Sequence, residues 1–416
     1  GISRFASNTV PSVKSRHTRD PKTTCLLTRL FIATGMEHVD VTRITLLLYD
    51  SQLKKTPYCR IGPNFKMLPD AESFRRLVDG RATGLVATLG RTGLSAIEIP
   101  YEALVRLRNY GYDHSILTVK KASAPVISVG NLTLGGTGKT PLVAWLAHWF
   151  AQHNKKPAII SRGYKAKTGQ LSDEAAELKI LLPTVPHYAN KQRIIAAGEA
   201  VTKGSDVLLL DDGFQHRQIS RDLNLITIDA TDPFGCNRIF PRGLLREPLW
   251  GLKRADALVL TRTDQVSIKT RNEIQEQCFQ FVGSHDKPWI ETEHRPSNLR
   301  LVDGTTQHLK TLQDKRILSL SAIGNPAAFH RTLTTLGHEP VATLTFPDHH
   351  TYTTDDIHRI SEETESVGAE IIVTTLKDLV KLPLASVRNR PLCALEIGIQ
   401  FQTGLQDLEY LLNKIP

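Results

Sequence analysis

The run Thr133-Leu134-Gly135-Gly136-Thr137-Gly138-Lys139-Thr140 holds the residue types that a polyphosphate needs, at the spacing it needs them. Its glycines let successive backbone N–H groups turn toward one anion, and a helix starting there adds the positive end of its dipole. Lys139 would place its charge on the β- and γ-phosphates, and the Thr140 hydroxyl would reach a Mg2+ ion. The run matches the Walker A pattern, except that Thr133 stands where the first glycine is usual. Its surroundings agree: a β-branched run at 124–129 precedes it and a periodic apolar stretch at 141–150 follows.

A second element of the same chemistry lies about 70 residues on. The apolar run 207–210 ends in Asp211-Asp212-Gly213. A buried strand that ends in an acid presents it to the nucleotide crevice, where it can ligate the metal. The types alone leave open which of Asp211 and Asp212 makes the contact. A guanine-reading strand end would be Asn-Lys-x-Asp; the corresponding place here is Thr261-Arg262-Thr263-Asp264, with the Asp but neither Asn nor Lys. The pattern therefore argues against a GTPase.

These groups need a scaffold that brings strand ends together. Apolar strands are expected at 124–129, 157–160, 207–210, 223–228, 257–260, 317–320, 341–344, 371–374 and 393–397, most of them separated by helix-length segments. Continuous apolar strands alternating with helices indicate a parallel sheet covered on both faces. The fold class expected is α/β: a P-loop NTPase-type sheet domain at 116–310, a second, smaller α/β lobe at 311–416, and an N-terminal amphipathic helical segment at 67–115. In that segment Phe74, Leu77 and Val78 form one apolar stripe, and Tyr101, Leu104, Val105 and Leu107 another. Glycines interrupt the stretch between the stripes, and Arg75, Arg76, Arg81 and Arg91 flank it, so the segment suits either packing on a core or a lipid interface.

Composition bounds the alternatives. The 416 residues carry a net charge of +10. Residues 1–66 hold eleven Lys and Arg against Asp20, Glu37, Asp40 and Asp50, which leaves the remainder close to neutral. The body of the protein is thus not a nucleic-acid binder on charge grounds. The basic stretch 1–66 reads as a targeting segment or as an extension ahead of a natural start at Met67. The five cysteines are scattered with no C-x-x-C pair, which fits a reducing compartment and no zinc site. No apolar run is long enough to span a bilayer.

Several short motifs then converge in order. Gly130-Asn131-Leu132-Thr133 leads into the glycine loop, and Ser161-Arg162-Gly163-Tyr164 and Asp211-Asp212-Gly213-Phe214-Gln215-His216-Arg217 follow. Arg221-Asp222-Leu223, Pro241-Arg242-Gly243-Leu244-Leu245-Arg246-Glu247-Pro248 and Arg254-Ala255-Asp256 come next. Phe346-Pro347-Asp348-His349 and Thr375-Leu376-Lys377-Asp378 close the series. Together they resemble the tetraacyldisaccharide 4′-kinase family over roughly residues 120–385. The resemblance implies ATP and Mg2+ as cofactors and an acylated glucosamine disaccharide 1-phosphate as the acceptor. It also implies a peripheral place on the cytoplasmic face of a bacterial inner membrane.

The resemblance further implies roles for particular residues. Asp173 and His349 would form the pair that activates the sugar hydroxyl, although the segment Ser172-Asp173-Glu174-Ala175 departs from the family's Gly-Asp-Glu-Pro. Lys139 would assist transfer. Thr140, Asp211, Asp212 and Glu247 would lie at the metal, and Asn131, Arg162, Gln215, His216 and Arg246 would face the substrate.

Overall fold

A computed structural model describes residues 71–163, 173–323, 326–348, 350–382 and 384–416, the side chains of Ala71, Glu72, Asp173 and Glu174 excepted. Residues 68–112 and 118–416 make up one compact unit. The other unit comprises 1–67 and 113–117, so the readings made for 1–66 lie outside the described residues.

Two helices come first, α1 (Ala71–Val78) and α2 (Leu85–Asp113). The expected glycine interruption does not break α2, which runs through Gly90, Gly93 and Pro100 as a single helix. A Cβ at Gly90 would sit 3.6 Å from the Leu77 methyl groups, an ordinary packing distance, so α2 meets α1 here without requiring a glycine. The two helices hold the body through a few specific contacts. Buried Glu98 accepts the Ile239 backbone N–H at 2.9 Å, Arg242 donates to the Val78 carbonyl at 3.0 Å, and Tyr101 donates to the Arg246 carbonyl at 3.3 Å. Leu85, Val86, Leu89 and Ile99 remain exposed along the rest of α2.

The alternating part begins with β1 (Val126–Gly130), α3 (Lys139–Gln152), β2 (Pro157–Ser161), α4 (Asp173–Leu181) and β3 (His187–Ala189). It continues through α5 (Arg193–Thr202), β4 (Val207–Asp211), β5 (Leu223–Asp229), β6 (Ala257–Thr261) and α6 (Ile268–Val282). Then come β7 (Trp289–Arg300), β8 (Thr306–His308), β9 (Ile317–Ser321), α7 (Pro326–Thr335), β10 (Ala342–Thr345) and α8 (Thr354–Ser366). The chain ends with β11 (Ile371–Thr375), α9 (Leu376–Leu379), β12 (Ser386–Val387), β13 (Arg390–Thr403) and α10 (Leu405–Asn413).

All these strands join one sheet in the order β10-β9-β11-β13-β7-β6-β5-β1-β4-β2-β3, with β12 added to β13 and β8 to β7. Pairing is parallel from β3 through to β7, and again from β13 to β10. Between the two halves β13 and β7 run antiparallel over a long register, from Ala394↔Arg300 to Thr403↔Glu291. β7 reads Trp-Ile-Glu-Thr-Glu-His-Arg-Pro and was not expected as a strand, because its charged residues hide any apolar run. β1 and β2 are buried along their whole length, as strands covered on both faces should be.

The core is continuous on one face. Leu142, Val143, Leu146 and Phe150 of α3 pack over Ile127, Val129 and Leu209, and the same cluster reaches Leu318, Ile372 and Leu392 beyond the antiparallel seam. On the other face, Phe214, Ile226, Leu258 and Leu260 pack against Ile274 and Phe279 of α6. Each of the fully buried side chains contributes about 1.5–3 kcal/mol on leaving water.

Gly130 lies where these faces meet the functional loop. A Cβ there would fall 2.6 Å from the Phe214 Cβ and 2.7 Å from the Phe214 backbone nitrogen, and fixed backbone cannot yield cheaply. Gly130→Ala should therefore lower stability by about 1–3 kcal/mol. The measurement is the urea midpoint against wild type; an unchanged midpoint would show that β1 and the Phe214 turn do not need this close approach.

Candidate active site

The glycine loop joins the end of β1 to the start of α3. Gly138 has φ +79 and precedes the first helical residue, Lys139, a left-handed backbone that glycine adopts freely where the loop turns into the helix. Behind the loop, Thr137 and Thr227 hydroxyls meet at 2.7 Å, and the Thr261 hydroxyl donates to the Thr137 carbonyl at 3.0 Å. The His294 imidazole packs against Gly138 so closely that no Cβ would fit. Burial, with Arg262 nearby, pushes the His294 pKa down to about 4, so the ring backing the loop is neutral. Sequence reading missed His294, since it lies in the strand whose pattern was illegible.

The segment around Arg246 runs beside the loop. Leu134 donates to the Leu244 carbonyl at 2.6 Å and Arg246 to the Leu132 carbonyl at 2.7 Å, while Thr133 forms an antiparallel bridge with Leu245. Arg246 thereby faces the end of β4. One guanidinium nitrogen reaches both Asp212 oxygens, at 2.8 and 2.7 Å. Lys139 stands 3.4 Å from the same carboxylate, and Arg193 donates to the Asp212 carbonyl at 3.0 Å. Asp212 has φ +50, a strained backbone for a residue with a side chain, of the kind that concentrates at functional sites. Burial would raise the Asp212 pKa, but Arg246, Lys139 and Arg193 outweigh it and hold the carboxyl well below the usual range.

Burial lowers the Arg193 pKa, and Arg162, just beyond β2, is close enough for its charge to add to that effect. Lys139, Arg193 and Arg246 thus surround Asp212 at the mouth of the loop, with Arg162 near Arg193. The excess of positive charge suits a polyphosphate with its metal. Arg193 is a member that sequence reading did not find: it opens α5 as an unremarkable helix residue, and only the fold buries it.

The remaining expected residues fall behind this front. Asn131 is fully buried; its amide donates to the Thr133 carbonyl at 2.7 Å and its oxygen accepts from Lys139 at 3.1 Å. It holds the loop and its lysine, and does not face an acceptor. Gln215 donates to the Asn131 carbonyl at 2.8 Å and to Glu247 at 3.0 Å. Glu247 has no exposed surface; Gln215 occupies one oxygen, while Asn109 at 3.0 Å and Arg254 at 2.7 Å share the other. Burial would raise the Glu247 pKa, yet Arg254 and Arg108 keep it anionic. A carboxylate enclosed in this way anchors the Arg246 segment and is not presented to an ion, unlike the metal ligand expected of it. His216 is buried in the turn after Asp212. Asp173 is the first residue of α4, but its side chain and His349 lie outside the described residues.

Thr140, Asp211 and Asp212 carry donor types that suit Mg2+, which commonly takes one or two carboxylates and completes its shell with phosphate and water. Among the described residues no cluster of three or more His, Cys, Asp or Glu forms an all-protein cage.

The fold and site define a P-loop nucleotide-binding enzyme: a parallel sheet, a glycine loop between β1 and α3, and an acid-ended β4 beside it. The chain belongs to the tetraacyldisaccharide-1-P 4′-kinase family, whose model matches residues 91–415. It is 35% identical over 358 residues to a tetraacyldisaccharide 4′-kinase of Anaeromyxobacter sp. (strain Fw109-5), covering 81% of this chain and 93% of that one. A tetraacyldisaccharide 4′-kinase of Syntrophus aciditrophicus is 36% identical over 332 residues, 74% and 88% of the respective chains. Among solved structures, the "apo" form of LpxK from Aquifex aeolicus in complex with ATP superposes with a TM-score of 0.64 at 31% identity, covering 78% of this chain and 99% of that one. The resemblance carried by the short motifs is thereby confirmed, and with it the kinase class.

The ionic contacts of Asp212 have a pH signature. Because its folded pKa is lowered, the stability it adds is complete above the unfolded carboxyl value of about 4 and is lost as pH falls below that. The melting temperature of Asp212→Asn should therefore differ from wild type by a constant amount from pH 7 to about 5, and the gap should shrink toward pH 3. A gap that holds steady to pH 3 would show that the carboxylate charge contributes nothing.

Proposed function

We propose that this kinase transfers the γ-phosphoryl group of ATP to the 4′-hydroxyl of tetraacyldisaccharide 1-phosphate, a lipid A precursor, with Mg2+ as cofactor. The observation that carries the reading is the convergence of Lys139, Arg193 and Arg246 on Asp212 beside the glycine loop. The ATP held by the Aquifex relative and the names of the curated relatives support donor and acceptor.

In-line transfer passes through a loose transition state whose charge is spread over the equatorial oxygens, so positioning and electrostatics supply the catalysis. The loop N–H groups and Lys139 hold the β- and γ-phosphates. Arg246 stands on the Asp212 side and is held in register by Leu132 and Gln215. Thr140, Asp211 and Asp212 would hold Mg2+, which offsets phosphate charge. The acceptor oxygen bonds to the γ-phosphorus as the bond to the β-bridging oxygen breaks; ADP leaves, and the hydroxyl proton passes to the Asp173–His349 pair. A carboxylate beside an imidazole orients it and strengthens it as a proton acceptor.

The acceptor carries acyl chains, so the enzyme has to work at a lipid surface. No helix among the described residues is long and apolar enough to cross a membrane. α2 instead offers exposed Leu85, Val86, Leu89 and Ile99, with Arg75, Arg76 and Arg81 exposed close by in the chain. We place this face on the membrane as a peripheral anchor, on the cytoplasmic leaflet of a bacterial inner membrane.

Radiolabelled phosphate transfer from ATP to tetraacyldisaccharide 1-phosphate in detergent micelles tests the chemistry. Wild type should give labelled lipid, and Asp173→Ala should lower the rate by about 10²–10⁴-fold. Lys139→Ala should abolish it. ATP–Mg2+ binding without labelled lipid from wild type would point to another acceptor or to a lapsed catalyst. For the surface, replacing Leu85, Val86 and Leu89 together with serine should weaken partition onto anionic vesicles about tenfold or more. Undiminished partition would move the anchor elsewhere.

A further inference from the structure

The motif Thr375-Leu376-Lys377-Asp378 has no part in the site as described so far, yet its last residue is fully buried. Asp378 sits in α9, one turn long, directly after β11. Its Oδ2 accepts the Ala322 backbone N–H at 3.0 Å and the Thr375 hydroxyl at 2.7 Å, and its Oδ1 accepts the Tyr352 hydroxyl at 3.1 Å. Capping explains only the Thr375 bond. The other two reach residues 56 and 26 positions away, in the loops that follow β9 and β10. One carboxylate therefore ties together three loops at the C-terminal edge of a parallel sheet half, the edge where such sheets place their ligands.

The neighbours of this carboxylate are specific. Tyr352 closes the loop of residues 346–352, within whose sequence His349 lies, and its ring meets Phe346 edge-on at 5.3 Å. Phe346 stacks on His350 at 4.9 Å, and His350 pairs with Asp356 of α8 at 2.8 Å. On its other side α9 packs against α4, whose first residue is Asp173. Leu178, Leu181 and Leu182 share one buried cluster with Leu376, Leu379 and Leu382. Burial and the facing Asp378 carboxylate both raise the Tyr352 pKa, so its hydroxyl stays protonated and donates.

We propose that Asp378 is a positioning residue for phosphoryl transfer, a buried carboxylate that ties Tyr352, three residues after His349 in sequence, to α9 and through it to α4, the helix whose first residue is Asp173. The proposal rests on the reading of Asp173 and His349 as the proton-accepting pair. Asp378 touches neither nucleotide nor acceptor. It acts through Tyr352 and through the packing of α9 on α4, so its loss should affect the chemical step and not the phosphate loop.

Two variants test this in the full-length chain. Tyr352→Phe removes a single hydrogen bond, and Asp378→Asn keeps shape while converting an acceptor into a donor. Transfer to tetraacyldisaccharide 1-phosphate should show kcat lower by about 2–12-fold in the first and about 10–150-fold in the second. ATP affinity should stay within about twofold of wild type in both, since nothing at residues 131–140 depends on Asp378. Amide hydrogen exchange supplies a readout independent of the reaction. Peptides covering 346–352 and 173–181 should lose protection in both variants, while 131–140 should not. Unchanged kcat and unchanged exchange would overturn the proposal, as would a loss of ATP binding that parallels the loss of rate. If wild type binds ATP but phosphorylates no lipid, the reading of the reaction fails, and the exchange pattern alone decides whether Asp378 couples the two elements.

Discussion

The structure turns on a problem of like charge. A site that grips a polyphosphate must collect cations before the ligand arrives, and cations repel. Here Lys139, Arg193 and Arg246 are held around Asp212, which ends the β4 turn in a strained left-handed backbone. The carboxylate offsets part of the repulsion and draws in Arg246 and Lys139, while the main-chain carbonyl of the same residue fixes Arg193. Its three partners come from α3, from α5 and from the segment beside the loop. The charge cluster therefore forms only when the sheet has placed these elements, which links folding to competence.

A second layer keeps that cluster rigid. Asn131 holds Lys139, Gln215 bridges Asn131 to Glu247, and Glu247 is enclosed by Asn109 and Arg254. Asn109 belongs to α2, so the helix that exposes its apolar face also reaches the interior of the site. Removing one partner from such a buried ionic network leaves an uncompensated charge, which costs more than the pair itself contributes. An event at the α2 surface thus has a short physical route to the loop: Asn109, Glu247, Gln215, Asn131, Lys139. Each step is a hydrogen bond of 3.1 Å or less.

The sequence was most legible where chemistry is local. The glycine loop, Lys139 and the acids ending β4 were identifiable because a phosphate-binding turn needs contiguous residues of fixed type. The apolar strands were found within a few residues for the same reason. What stayed hidden depended on distant pairing. β7 carries Glu291, Glu293, His294 and Arg295, and no apolar run marks it as a strand. Its partner β13 extends to Thr403, well past the apolar stretch that marked it. Arg193 and His294 escaped notice because their burial comes from elements far away in sequence. Glu247 and Asn131 were recognised as part of the site but given roles in direct contact with ligand. Residue type alone does not separate a group that touches a ligand from one that holds its neighbour.

The antiparallel seam between β7 and β13 has consequences for how residues from the two halves of the sheet can meet. Had the C-terminal strands formed a separate lobe on a flexible linker, any site shared with α4 would need a closing motion to assemble. The observed sheet passes without a break from β3 to β10, and one apolar cluster spans the seam from Leu142 to Leu392. α9 lies directly against α4 within that cluster. Packed cores of this kind move little, because small displacements forfeit much of the dispersion attraction between close-packed side chains. The elements that begin at Asp173 and at Leu376 are accordingly held together by the fold itself. Adjustment during a catalytic cycle is then left to the loops at the strand ends, whose hydrogen bonds converge on Asp378.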